Sequence, residues 1–211
     1  MDLQKLKTRI NEVLAGQHDA EFLDIVNGVH CMSTPRVYAV INALVSAMEP
    51  GEIYCEVGCY QGGSMIAALR NNEAQAIGVD SFGEFQATNN AAQTQANFER
   101  FGVAQRVVLR DLDYQTFFAQ AGADFKIQVY YYDGAHGYEV QLAGMEAGWP
   151  FLRPGSFIVV DDYSYPPVIQ AVNQFVANHI DHVSFHLVVA TEATNPPDAT
   201  WWNGVVVLEV H

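Results

Sequence analysis

Residues 52–64 read Glu52-Ile53-Tyr54-Cys55-Glu56-Val57-Gly58-Cys59-Tyr60-Gln61-Gly62-Gly63-Ser64. A short apolar run over 52–57 predicts a strand. A glycine-bearing turn follows it, and then a helix over 63–70. Strand, turn and helix in this order form the opening unit of an open α/β sheet, whose ligands bind outside the carboxyl ends of the strands near a topological switch point. Gly58 permits a tight turn, and Gly62 lets backbone approach a ligand. Glu56 is expected at the rim, as a carboxylate available to a cationic ligand group. The pattern is not Gly-x-Gly-x-x-Gly. Tyr60 stands where a dinucleotide fold wants its second glycine, and its side chain would crowd a pyrophosphate. No Gly-Lys-Ser/Thr follows, which excludes a nucleotide phosphate loop. An ordinary strand-to-helix connection is the alternative.

Downstream, strand and helix patterns alternate. Strands are predicted at 75–80, 105–110, 127–132, 156–161, 183–190 and 204–210, and helices at 86–101, 114–121, 137–149 and 166–179. The strands are short apolar runs without clean alternation, as expected when both faces are buried. The fold predicted is α/β, a doubly wound seven-stranded and mostly parallel sheet. Between the last two strands, 191–203 (with Asn195-Pro196-Pro197-Asp198) reads as a loop, so a C-terminal antiparallel hairpin is expected to close the sheet. Upstream lie N-terminal helices. Leu3, Leu6, Ile10, Val13 and Leu14 make an amphipathic helix over 2–15. A short helix is expected over 19–28, and a third starts at Pro35, capped by Ser33 or Thr34. One domain over 1–211 is expected, with residues 1–50 as a helical cap and 51–211 as the α/β core.

Composition narrows the class. Half of the 211 residues are hydrophobic, and the formal net charge is −14. Such an acidic chain repels phosphate backbones, so no nucleic-acid partner is expected. Cys31, Cys55 and Cys59 form no Cys-x-x-Cys pair and no disulfide framework. No apolar signal region opens the chain and no run reaches membrane-spanning length, so a cytoplasmic protein without a membrane partner is expected. The N-terminal helix offers a surface for a homodimer.

Three acids end three successive strands: Glu56, Asp80 (22 residues after Gly58) and Asp111. A carboxylate at Asp80 suits both hydroxyls of a ribose. Ser81 and Phe82 border an adenine ring in this reading, and Asp111 accepts from the adenine amino group. With no cation beside the glycines, a nucleoside lacking phosphate fits, and S-adenosylmethionine (SAM) is such a ligand.

At this point the chain resembles a class I SAM-dependent methyltransferase. The quoted turn is similar to the first motif of the catechol O-methyltransferase group, Glu-x-Gly-x-Tyr-x-Gly-x-Ser. Tyr132-Asp133-Gly134-Ala135-His136-Gly137-Tyr138-Glu139 resembles the Asp-Gly-Asp-His-Ser-Tyr-Glu segment of macrocin-type O-methyltransferases. Leu152-Arg153-Pro154-Gly155-Ser156 and Val160-Asp161-Asp162-Tyr163 resemble the fifth-strand motif of the same families. The resemblance implies a Rossmann-like methyltransferase fold. It also implies that Glu56, Gly58, Tyr60, Gly62 and Ser64 line the methionine and ribose part of SAM, with Asp80 on the ribose. Ser81, Phe82, Asp111 and Leu112 would surround adenine, with Asp133 beside the cofactor and Met32-Ser33 approaching it. Ala135 departs from the acidic residue of the macrocin pattern, and Gly63 from a larger residue of the catechol group.

Asp133 ends the fourth strand and Asp161-Asp162 the fifth, about 4.8 Å apart if those strands are neighbours. Three converging carboxylates repel one another, and Mg²⁺ or Ca²⁺ would relieve this. The alternative is a turn at Asp133-Gly134 and a helix cap from Asp161 or Asp162. In the catechol group a lysine at the offset of His136 removes the hydroxyl proton, and histidine can do the same. The function expected is O-methylation of a small hydroxylated acceptor (sugar, phenol or natural product), with Asp133 and His136 catalytic. A metal-independent methyltransferase and a non-catalytic SAM-binding protein are the alternatives. Trp201-Trp202-Asn203 is placed either at the acceptor pocket or in plain packing.

Overall fold

The computed structural model describes residues 2–83, 89–191 and 200–211. It begins with helices α1 (Leu3–Leu14), α2 (Leu23–Gly28) and α3 (Pro35–Ser46). Asp2 caps α1 by accepting from the Lys5 N–H, and Leu6, Ile10 and Val13 bury one face. Leu3 and Leu14, members of the same apolar stripe, stay exposed. Thr34 caps α3, and Pro35 occupies the first helical position, where its missing N–H costs nothing. The α3 face carrying Val37, Ile41 and Leu44 is wholly buried.

The remaining elements are β1 (Ile53–Val57), α4 (Gly63–Leu69), β2 (Gln75–Asp80), α5 (Asn90–Arg100), β3 (Val107–Asp111), α6 (Tyr114–Gln120), β4 (Val129–Tyr132), α7 (Tyr138–Gly148), β5 (Phe157–Asp161), α8 (Pro166–Asn178), β6 (Val183–Val189) and β7 (Val205–Val210). They form one seven-stranded sheet in the order β3-β2-β1-β4-β5-β7-β6. The first five strands run parallel, and β7 pairs antiparallel with both β5 and β6. This is the doubly wound sheet with a terminal antiparallel hairpin expected from the alternation of patterns. The predicted helix over 86–101 is seen from Asn90 onward, its first residues lying outside the described ones. Asn195-Pro196-Pro197-Asp198 lies outside them too.

Core residues fill both faces of the sheet. Tyr130, Tyr131 and Tyr132 of β4 are each at most 1% exposed. Tyr131 joins the layer with α3 and α4, while Tyr130 and Tyr132 join the layer with α8. Successive strand residues point to opposite faces, so three consecutive tyrosines serve two cores. The chain order reverses between β1 and β4, which places the switch point directly beyond Val57 and Tyr132. Among the described residues, no helix is long and apolar enough to cross a membrane.

Candidate active site

Beyond the carboxyl end of β1 the chain turns through Gly58 at φ +89°, a left-handed conformation that glycine adopts without strain. A Cβ at Gly58 would stand 1.9 Å from the Asp133 carbonyl oxygen. The turn and the end of β4 are therefore in direct contact, with only glycine between them. Asp80, at the end of β2, braces the turn. Its Oδ2 accepts from the Cys59 and Tyr60 N–H groups at 2.8 and 2.9 Å, and its Oδ1 from the Phe82 N–H at 2.7 Å. Tyr60 also has positive φ, and its hydroxyl lies 2.8 Å from His30 Nδ1. This contact ties the segment before α3 to the turn.

Glu56 differs from the expected rim carboxylate. It is fully buried beneath the turn, accepting from the Tyr54 hydroxyl at 2.5 Å and the Ser64 hydroxyl at 2.6 Å. Burial raises its pKa to about 7, against the pull of those two hydrogen bonds. Gly62 precedes α4, where a Cβ would strike the Phe98 ring. Gly63 has its own reason: a Cβ there would meet the Tyr38 hydroxyl at 2.3 Å, so α3 leaves no room for the larger residue of the resembling group.

A cleft of ≈ 300 Å³ opens between the ends of β1, β2 and β4. Gly58, Tyr60, Asp80, Ser81, Phe82, Asp133 and His136 line it, as do Met32 and Leu112. A narrower cavity continues under the turn, lined by Ser33, Tyr60, Gly63, Ser64, Tyr131 and Asp133 among others. The Ser33 Oγ is buried without a hydrogen-bond partner. Asp111 does not line the cleft. It pairs in register with Asp80 but is exposed at the sheet edge. Asp113 and Tyr114 stand at the cleft instead, where sequence reading had not placed them. Asp113 is spent on capping α6, accepting from Thr116 N–H and Oγ1. Only the Asp-x-x-Thr capping pattern marked that position in the sequence.

The strand-end acids meet as β4 and β5 pair in parallel, but not as a trio. Asp133, His136 and Asp162 bring one ligand atom each within 4.8 Å of one another. Asp161 is held by other partners: its Oδ2 accepts from the Tyr131 hydroxyl at 2.6 Å, and its Oδ1 from the Asp162 N–H at 3.0 Å. Asp162 adopts φ +56°. Its Oδ2 lies 3.0 Å from His136 Nε2, and its Oδ1 accepts from Asn203 Nδ2 at 2.5 Å. Neither acid caps α8, whose N-cap is Tyr165 without a side-chain bond. The Tyr165 ring stacks on His136, centroids 6.0 Å apart and planes 16° from parallel. Burial, then the neighbouring Asp161, Asp162 and Glu56, pushes Asp133 well above the usual carboxylate range. Burial and Asp162 push Asp161 to about 8.

Residues 55–163, just over half of the chain, match a family model described as a methyltransferase domain. An uncharacterized protein of Acanthamoeba polyphaga mimivirus is 24% identical over 148 residues, 67% of each chain. An O-methyltransferase from Bacillus cereus, solved in complex with SAH, matches 97% of this chain and 91% of its own, with TM-score 0.65 and 18% identity. The O-methyltransferase TomG from Streptomyces achromogenes, involved in tomaymycin synthesis and solved with SAM, matches 94% and 89%, with TM-score 0.61 and 17% identity. At such identities the likeness is one of fold. With the family match spanning β1 to the end of β5, the chain belongs to the methyltransferase-domain family.

Proposed function

We propose that the protein transfers a methyl group from SAM to a hydroxyl of a small acceptor, assisted by a divalent cation. One observation carries this reading. The glycine-bearing turn lies against Asp133, so a nucleoside cleft and a group of acid and imidazole side chains share one wall. The cofactor relatives of similar fold hold, SAM or SAH, has the chemistry this cleft suits. Among the described residues, no lysine or arginine lines it to meet a phosphate, and the buried Ser33 hydroxyl has no hydrogen-bond partner. Asp80 stands at the ribose position and Tyr60, Gly58 and Ser64 along the methionine end. Phe82, Leu112 and Tyr114 provide the walls for adenine.

The donor set fits a hard divalent ion such as Mg²⁺ or Ca²⁺, since Asp133 and Asp162 are close acids with too little positive charge beside them. Asp133 and Asp162 would hold the ion, which when bound lowers the pKa of an acceptor hydroxyl. Asp161 supports the group from behind, through Tyr131. His136 donates from Nε2 to Asp162, which leaves Nδ1 to take the hydroxyl proton. Asp162 and the Tyr165 ring orient the imidazole, as a carboxylate orients histidine in hydrolase triads. The acceptor oxygen then forms its bond to the methyl carbon as the carbon–sulfur bond breaks, giving the methyl ether and S-adenosylhomocysteine. Much of the acceleration is positioning.

Calorimetric titration of SAM and S-adenosylhomocysteine, with Mg²⁺ and with chelator, tests the reading. Micromolar binding is expected, with a cation-dependent heat that Asp162→Asn abolishes. Absence of binding under both conditions overturns the methyl-transfer reading. Turnover unaffected by chelator overturns the cation alone.

A further inference from the structure

Trp201-Trp202-Asn203 lines neither the cleft nor the cavity beneath the turn. It forms the entry to β7, and this entry is fixed from several sides. The Thr34 hydroxyl donates to the Thr200 carbonyl at 2.7 Å, and the Arg36 guanidinium lies 5.6 Å from the centre of the Trp201 ring. A Cβ at Gly204 would strike the Val189 carbonyl, so the chain is seated against the end of β6. The Ser164 N–H donates to the Asn203 carbonyl at 2.7 Å, which joins the entry to the turn leaving β5.

Asn203 is itself buried, at φ +53°, and bonded to Asp162 at φ +56°. Such backbone persists outside glycine only where the surroundings enforce it. Asn203 Nδ2 donates to Asp162 Oδ1 at 2.5 Å, while Asn203 Oδ1 is buried with no hydrogen-bond partner. Turning the amide over would set its carbonyl oxygen against a carboxylate, so the donor must face Asp162. A buried acceptor left unmet is costly. The amide is thus arranged to satisfy the acid and not itself. The other Asp162 oxygen, Oδ2, is the one 3.0 Å from His136 Nε2.

We propose that Asn203 is a positioning residue for the cation group: its amide fixes one oxygen of Asp162 and keeps the other on the side of His136 and Asp133. This rests on the reading above of methyl transfer assisted by a divalent cation. Partners that orient a metal ligand set its affinity almost as strongly as the ligand does. Asn203 would do so from β7, a strand that supplies no ligand of its own.

The test titrates Mn²⁺, which shares the oxygen-ligand preference of Mg²⁺, into the full chain saturated with S-adenosylhomocysteine. Free Mn²⁺ is counted by electron paramagnetic resonance. Asn203→Gly keeps the left-handed backbone and loses the amide. It should bind Mn²⁺ about 10–100-fold more weakly than the native protein, the loss typical of removing a ligand's outer partner. Its affinity for S-adenosylhomocysteine should stay within about twofold, because Asn203 lines neither cavity. Equal Mn²⁺ affinity overturns the inference. A parallel loss of S-adenosylhomocysteine affinity does so too, since it marks a purely structural role. A second measurement needs no variant: in the isotope-labelled native protein, the Asn203 side-chain amide resonance should shift on addition of Mg²⁺. A resonance that stays in place overturns the inference. Native protein that binds S-adenosylhomocysteine but no Mn²⁺ overturns the cation and this inference, and leaves methyl transfer standing. Failure of S-adenosylhomocysteine itself to bind overturns the methyl-transfer reading as well.

Discussion

The Tyr131 hydroxyl donates to Asp161 at 2.6 Å and lies 3.5 Å from Asp133. One phenol on β4 thus holds Asp161 in the core, while the next residue, Asp162, meets His136 and Asn203. Tyr131→Phe should cost about 1–3 kcal/mol of stability, because a fully buried carboxyl group loses its hydroxyl donor. Denaturant unfolding measures this. An unchanged midpoint would show that the bond contributes nothing.

His136 reaches the cleft from the loop between β4 and α7, oriented by Asp162 and Tyr165. His136→Ala should lower turnover by about 10²–10⁴-fold, the range for a positioned general base. SAM affinity should stay within about twofold, since the imidazole does no binding work in the proposed mechanism. Turnover near that of the native protein would remove His136 from its proposed role.

Glycine at 63 is a consequence of Tyr38. Gly63→Ala drives a methyl group into the Tyr38 hydroxyl and should destabilise by about 1–3 kcal/mol, as overpacking does. Tyr38→Phe in the same background should recover part of the loss by vacating that space. Thermal unfolding of the single and double variants checks it. Additive losses would mean that the collision is not the cause.

Glu56 should make the ligand-free protein less stable as pH rises. Its folded pKa is raised from 4.5 to about 7, so the native state binds more protons than the unfolded chain between those values. The stabilisation is complete below about 4.5 and lost as pH passes about 7, for a total of about 3 kcal/mol. Stability measured across this window should fall with rising pH. Glu56→Gln should flatten the slope without abolishing it, because Asp133 and Asp161 are raised too. A slope identical in the variant would mean that Glu56 ionises freely.

Much of the fold was legible along the chain because its signals are local. Apolar runs of strand length, the Thr34-Pro35 helix start and the glycines at turns report on neighbours only a few residues away. The strands read over 75–80 and 183–190 appear at Gln75–Asp80 and Val183–Val189. The same holds for where the acids lie: Asp80, Asp133 and the Asp161-Asp162 pair all sit at strand ends, because strand ends are set by local pattern.

Side-chain direction was not legible, because contacts distant in sequence set it. Glu56 reads as a rim carboxylate but is claimed by Tyr54 and Ser64 on its buried side. Asp111 reads as a ligand group, yet β3 is the sheet edge and turns it to solvent, while Asp113 reaches the cleft. Asp161 and Asp162 are indistinguishable as neighbours in the chain. Tyr131, 30 residues earlier, holds the first and Asn203, 41 residues later, the second. The sequence places a carboxyl group at the sheet rim. Packing of the β4, β5 and β7 ends decides which carboxyl faces a ligand, because a buried acid must point where a donor already stands.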